Sequence, residues 1–249
     1  MNQYKYCKIQ TASDLLASYN AAINERPSNV ATSGGHRNKR SIGVHTKYWS
    51  PGRTLKILVF RFDEHSFEAV KNGINKWAPY VNLNFEFIEM DEQDVFASDQ
   101  FLGDIRIAFE DIDGGISKIG TDSLTGSPHS ASMTLQTDFS SPNYESLVTH
   151  EFGHALGLHH EHQHPDAGIP WDREKTYLHM AASTSFSRAE VDANVFPLER
   201  EPNRTYTPYD RHSVMHYEVL NELTVGDWHQ PLNADISEGD IAAVRTIYP

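Results

Sequence analysis

Residues 150 to 160 read His150-Glu-Phe-Gly-His154-Ala-Leu-Gly157-Leu-His-His160, and the spacing of their polar groups decides how the chain must fold around them. On an α-helix, residues four apart lie on one face a turn apart, so His150 and His154 can present two imidazoles to a single ion. Glu151 stands beside them, placed to reach a water at that ion without ligating it. His160 could not join if the helix continued, because ten residues would carry it roughly 15 Å along the axis. The helix must therefore end and the chain must double back. Gly157 permits this, since the left-handed backbone that closes a helix costs glycine almost nothing. Three neutral imidazoles leave one tetrahedral position open for water, as in a catalytic rather than a structural zinc site.

Outward from this stretch, composition narrows the chemistry. The chain has 249 residues, with 21 Lys and Arg against 34 Asp and Glu, a net charge of −13. A phosphate-neutralising surface needs the opposite sign, so general binding of nucleic acid is not expected. There are 14 histidines and a single cysteine, Cys7, which excludes an intramolecular disulfide framework and any multi-cysteine metal site. If a metal binds, imidazole must hold it. Six of the histidines lie between positions 150 and 164. A His-rich surface helix is the simpler explanation of such a cluster, but the five defining positions arise by chance on the order of once in several thousand chains. His159, His162 and His164 are then either solvent-facing or partners that support the ligands. Glu174 as a carboxylate third ligand is a competing reading.

The rest of the sequence reads as α/β or α+β. Helices are predicted over residues 12–25 (Ser13 as N-cap; Leu15, Leu16, Tyr19, Ala22 and Ile23 on one stripe), 63–77, 143–156 and from Ser237 to the end of the chain. Five strands are predicted over 54–62, 83–88, 104–109, 116–120 and 131–137, with Leu55, Ile57 and Val59 on one face of the first. Residues 27–43 lose apolar periodicity and carry the basic run His36-Arg-Asn-Lys-Arg40, which reads as a linker. The opening MNQYKYCKIQ has no apolar h-region, and no stretch approaches 18 consecutive apolar residues, so neither a signal peptide nor a spanning helix is expected.

The run HEFGHALGLHHE resembles the zinc signature of the metzincin endopeptidases, and Ser213-Val-Met-His-Tyr217 resembles their Met-turn. Glu161 directly after the third histidine, with Tyr217 two residues after Met215, looks most like the astacin branch. The extension HQHPDAGIPWDRE departs from the Arg and Asp that usual astacins carry and is closer to a microbial astacin-like or matrixin-like group. YWSPGRTLKILVF, SKIGTD and the ending LNADISEGDIAAVRTIYP are also similar to that group, so the resemblance covers roughly residues 45 to 249.

The resemblance implies a metzincin-type fold with a twisted mixed sheet of about five strands, an active-site helix, and a mostly irregular C-terminal part ending in a helix. It implies an N-terminal segment 1–43, a pro-region or a linker, and a catalytic domain 44–249 divided near residue 157. It implies Zn2+ held by His150, His154 and His160, Glu151 as general base, Met215 as a hydrophobic floor, and Tyr217 as a fifth ligand or a donor to the oxyanion. The chemistry agrees for Glu151: zinc brings the pKa of a bound water toward about 7, and a carboxylate can take that proton.

The activity so implied is hydrolysis of internal peptide bonds in a protein or peptide substrate. That substrate would lie as an extended strand along residues 116–120, beside pocket walls built from Glu218, Val219 and Leu220. The alternatives are a catalytically silent zinc-binding interaction module and a zinc hydrolase of a non-peptide amide. The family is mostly exported, which favours a secreted monomer, with a cytoplasmic protein as the alternative. Glu161 reads either as an anchor for a chain terminus, as in processed astacins, or as a satisfied structural carboxylate. Cys7 is either a buried small hydrophobe or a zinc-blocking thiolate of the kind matrixin-like zymogens carry. Phe101-Leu-Gly-Asp104 matches a string by which astacin propeptides block zinc, yet its place before a strand reads as a strand-entry turn. Asp111-Ile-Asp-Gly-Gly115 reads as a calcium-ligand fragment or a plain turn.

Overall fold

A computed structural model describes residues 6–30, 45–184, 186–200 and 206–249. Its centre is a six-stranded sheet in the order β1-β5-β6-β4-β2-β3. The strands are β1 (Tyr6–Gln10), β2 (Thr54–Phe60), β3 (Asn84–Met90), β4 (Ile105–Glu110), β5 (Gly114–Lys118) and β6 (Met133–Gln136). Neighbouring strands run parallel except β5 and β6, which are antiparallel. The helices are α1 (Leu15–Glu25), α2 (Ser66–Asn75), α3 (Glu92–Phe96), α4 (Tyr144–Ala155), α5 (Arg173–Thr184), α6 (Arg188–Asn194) and α7 (Glu238–Ile247).

The alternation in β2 explains the two sides of the sheet. Leu55, Ile57 and Val59 enter the main core with Val70 and Ile74 of α2 and Val148 and Phe152 of α4. Leu58 and Phe60 face the other way and pack with Val95 of α3. A period of two thus sends alternate side chains into two apolar layers, as a strand buried on both faces requires.

Five strands fall where the sequence places them within a few residues, and the sixth, β1, does not. YCKIQ has no strong strand pattern of its own. It is ordered by pairing with β5, with Cys7 opposite Gly115 and Lys8 opposite Ile116. The predicted strand 116–120 starts earlier, at Gly114, and ends at Lys118, because Gly120–Leu124 turns into a 3-10 helix. The first helix starts at Leu15 with Asp14, not Ser13, as its cap, the Asp14 carboxylate accepting from the amides of Leu16 and Ala17. Its buried residues are Ser18 and Ala22, while Leu15 and Leu16 are exposed. The expected stripe is rotated because Ser18 donates to the buried Asp122 carboxylate at 2.5 Å, which draws a polar face inward.

The C-terminal part is more helical than expected, since α5 and α6 pack together through Met180, Phe186, Val191, Val195 and Phe196. Residues 27–29 of the expected linker form a 3-10 turn, and 31–43 lie outside the described residues. The end of α1 and the turn after it are packed against the body of the domain. Arg53 pairs with Glu25, Arg26 donates to the carbonyl of Ile247 at 2.9 Å, and buried Asn29 donates to the carbonyl of Tyr48 at 2.8 Å. The Phe101–Asp104 string is a strand-entry turn, with Asp104 accepting from the amide of Lys56 at 2.9 Å and from Arg53 at 2.6 Å. Residues 111–113 are the link between β4 and β5.

One buried cation holds the far side of the sheet to its loops. Arg106 on β4 is fully buried and donates to the carbonyls of Ser130, Gly103 and Ser123 at 2.8, 3.1 and 2.8 Å. Burial lowers its pKa to about 10, against the pull of Asp104. Arg106→Ala strands three acceptors and is expected to lower unfolding free energy by about 3 kcal/mol or more, read by urea denaturation; a loss under about 1 kcal/mol would show that water replaces the guanidinium.

Candidate metal centre

Helix α4 presents His150 and His154 one turn apart, and its end brings His160 back to them. Gly157 has φ +96°, its amide bonds to the carbonyl of His154 at 2.8 Å, and the amide of Leu158 bonds to the carbonyl of Gly153 at 3.0 Å. This pair of bonds is a Schellman closure, which reverses the chain at minimal cost with glycine in the left-handed position. Other carbonyls at the helix end are capped from outside: Trp49 Nε1 donates to Ala155 at 2.7 Å and the Tyr248 hydroxyl to Leu156 at 2.6 Å.

Two of the three imidazoles are oriented by a hydrogen bond on the far side, while His160 Nδ1 is buried with no partner among the described residues. His150 Nδ1 donates to the carbonyl of Val214 at 2.7 Å, and His154 Nδ1 donates to that of Leu158 at 2.8 Å. Those bonds leave each Nε2 as an acceptor facing the centre. His154 Nε2 and His160 Nε2 are 3.0 Å apart, and His150 Nε2 is buried with no hydrogen-bond partner among the described residues. Burial pushes His150 down to about 4; burial and then the neighbouring imidazoles push His154 and His160 well below the usual value. Neutral imidazoles with inward lone pairs are the form a metal takes.

Cys7 completes the group. Its Sγ lies 3.3 Å from Nε2 of both His154 and His160, and the four donor atoms of Cys7, His150, His154 and His160 all lie within 4.8 Å of one another. The donor set, three neutral imidazoles and a thiol in a buried cluster, fits zinc. Burial and then the Glu151 carboxylate push the thiol pKa up, well above its ordinary value. A cation at the centre would reverse that balance.

Glu151 is fully buried beside the cluster, and burial pushes its carboxyl up to about 8, with a counteracting pull from the Cys7 thiol. Its room comes from Gly115 on β5, where a Cβ would meet Glu151 Oε1 at 2.5 Å. Met215 lies under the helix against Gly153, where a Cβ would collide with its Sδ. The Met-turn is tied to α7: Asp240 accepts from the Ser213 hydroxyl at 2.6 Å and from the Val214 amide at 2.8 Å while closing the helix's own capping box with Ser237. Tyr217 is buried, its ring stacks on His162 at 4.1 Å, and its hydroxyl donates to the carbonyl of Cys7. His216 aligns the turn by donating from Nδ1 to the carbonyl of Tyr217 at 2.7 Å and accepting at Nε2 from the Tyr209 hydroxyl at 2.8 Å.

Several expectations change here. Glu174 is not a ligand: it sits on α5 and forms a two-pronged pair with Arg188 at 2.9 and 2.6 Å. His162 and His164 are buried rather than solvent-facing. Of the expected pocket walls, Glu218 lines a cavity of about 40 Å³ with Cys7, His150 and Tyr217, whereas Val219 turns away to bridge Gln230. Leu220 does not line that cavity either. Glu161 lines a separate cavity of about 170 Å³, where it accepts from the amide of Asp210 at 2.7 Å. Burial pushes its carboxyl up to about 8. Sequence reading missed Asp240, Gly115 and His216, for which the only local sign was the Ser237 to Asp240 capping pattern.

Comparison with known proteins returns one family model, Astacin (Peptidase family M12A), matched over residues 42–230. The zinc metalloproteinase dpy-31 of Caenorhabditis elegans is 26% identical over 194 residues, 75% of this chain and 28% of that protein. Its namesake in Brugia malayi is 26% identical over 192 residues, 74% of this chain and 27% of that protein. The chain thus spans under a third of the length of these relatives. Among solved structures, myroilysin aligns with TM-score 0.72 and 31% identity over 82% of this chain and 96% of its own. The hatching enzyme zinc-protease HCE-1 of Oryzias latipes aligns with TM-score 0.54 and 15% identity over 87% and 98%, a likeness of fold.

Zinc at a hundred times its dissociation constant is expected to stabilise the native protein by about 2.7 kcal/mol. The shift is read as an increase in Tm over chelator-treated protein, and His154→Ala should abolish it. An equal shift in that variant would place the metal elsewhere.

Proposed function

We infer that this chain, which belongs to the astacin family, is a zinc-dependent endopeptidase whose metal is held by His150, His154 and His160. The observation that carries this reading is the convergence of three buried, neutral imidazoles with Glu151 beside them. When bound, zinc acts as a Lewis acid, polarising a carbonyl and lowering the pKa of a water. Glu151 takes the proton of the attacking water as general base and returns it to the leaving amine. Tyr217 donates to the substrate's carbonyl oxygen as negative charge builds there. Its hydroxyl already donates to a carbonyl of the strand lying in the cleft, that of Cys7. His162, His216 and Tyr209 position that phenol. The substrate lies as an extended strand on β5, the edge that β1 covers in this structure. Action on protein substrates outside the cell, as a monomer, is part of this reading.

A latent state is also part of it, favoured by the position of Cys7. Residues 6–10 fill the strand-addition edge and bring a thiol to the metal ligands. Residues 1–43 then act as a pro-region whose displacement opens the cleft, and 44–249 is the catalytic domain. The Glu161 cavity, open to residues 45–48, is where a chain terminus would anchor after cleavage.

Glu151→Gln should retain zinc, measured by metal analysis, and lose cleavage of casein or a fluorogenic peptide by several orders of magnitude; retained turnover would place the base elsewhere. Cys7→Ser should raise the initial peptidase rate of the full chain. Unchanged activity together with an unchanged zinc coordination shell would overturn the latent state.

A further inference from the structure

The strand in the cleft carries, next to Cys7, a side chain that is itself bound. Lys8 follows the residue at the metal centre and pairs with Ile116 of β5. Its ammonium lies 3.6 Å from Glu190 Oε1 and 5.5 Å from the centroid of the Phe186 ring. An acid and an aromatic face meeting one ammonium is the chemistry of a cation subsite.

The platform behind this contact is built. Phe186 is buried in the cluster that joins α5 to α6. Glu190 Oε2 is committed to the capping box of α6, accepting from the amide of Ser187 at 3.0 Å and its hydroxyl at 2.8 Å, which leaves Oε1 toward the cleft. The hydrogen bonds from Ser187, with a smaller contribution from Lys8, hold its carboxyl below the usual range. The other Lys and Arg cations of this hairpin are already matched, Arg188 with Glu174, Arg173 with Asp192 and Lys175 with Asp172. The hairpin is tied to the chain just beyond the third ligand: Gln163 Nε2 donates to the carbonyls of Ala193 and Phe196 at 2.9 and 3.1 Å, and His162 Nε2 donates to that of Asn194 at 3.0 Å. The backbone that carries Glu190 is thereby fastened to the segment just beyond His160.

Resting on the endopeptidase reading, we propose that Glu190 and Phe186 form a subsite selecting a lysine or arginine side chain one residue from the scissile bond, with Lys8 as its built-in occupant. A strand on β5 places alternate residues at fixed stations, so a substrate with its reacting carbonyl at the Cys7 position sends a neighbouring side chain to the Lys8 station. A strand running with β1 brings there the residue after the Cys7 position, and one running against it the residue before. Glu218 in the cavity on the His150 side adds a second acidic group beside the cleft. The net charge of −13 favours the approach of cationic substrates.

The test uses the zinc-loaded full chain carrying Cys7→Ser, incubated with a proteome-derived peptide library. Lysine and arginine should be enriched at a single position, either the residue just after or the residue just before the one whose carbonyl is attacked. Adding Glu190→Gln, which keeps the capping box and removes the charge, should lower kcat/KM for lysine peptides roughly two- to fivefold, the scale of an exposed ion pair. The matched norleucine peptides should be unaffected. Cleavage without basic enrichment, or enrichment indifferent to Glu190→Gln, overturns the subsite and leaves the endopeptidase reading standing; zinc-loaded protein that cleaves nothing overturns both. A second readout needs no turnover. In the chain with Cys7 intact, Lys8→Gln and Glu190→Gln should each speed Cys7 labelling by a thiol reagent, and the double variant should label no faster than either alone. Additive effects would overturn the contact.

Discussion

Three imidazole nitrogens face one another in a buried space, and this is the constraint on which the rest of the molecule depends. His154 Nε2 and His160 Nε2 stand 3.0 Å apart. Two ring nitrogens that close share either a proton or a cation, and the donor set of three imidazoles and a thiol suits a cation. Two of the rings, His150 and His154, are held there by acceptors on their far sides, the backbone carbonyls of Val214 and Leu158. The Val214 carbonyl is set by the Met-turn, and the Met-turn is held by Asp240 at the start of α7. A helix at the far end of the chain thus orients the His150 imidazole.

The same centre organises the N-terminal residues. β1 is short and weakly patterned, yet it binds as a sixth strand because β5 offers an open edge and the ligands offer a place for a thiol. Glu25, Arg26 and Asn29 then fasten the following residues to the body of the domain. The contacts of β1 are those an extended peptide would make: backbone pairing to β5, a carbonyl at Tyr217 and a cationic side chain at Glu190. In the proposed endopeptidase, this strand and a substrate would compete for one set of groups.

Much of the site was legible in the sequence because its geometry is local. Four-residue spacing puts His150 and His154 on one helical face, and Gly157 marks the reversal that returns His160. The strands of the sheet were legible for the same reason, as alternation in β2 maps directly onto its two apolar layers. Short elements were less so. In α1 the apolar stripe pointed the wrong way, since a tertiary hydrogen bond from Ser18 to Asp122 outweighed the weak preference of Leu15 and Leu16.

By itself, then, the sequence determined which residues can meet one metal ion, where the helix that carries two of them must stop, and that its chemistry would be histidine chemistry in an acidic chain. Tertiary structure decided what touches that centre from afar: Cys7 at the ligands, Gly115 making room for Glu151, Asp240 bracing the Met-turn, and Glu190 and Phe186 meeting Lys8. Local spacing follows from the pitch of a helix and can be counted along the chain. Contacts between residues far apart in the chain depend on which strand pairs with which edge, and no local periodicity encodes that choice.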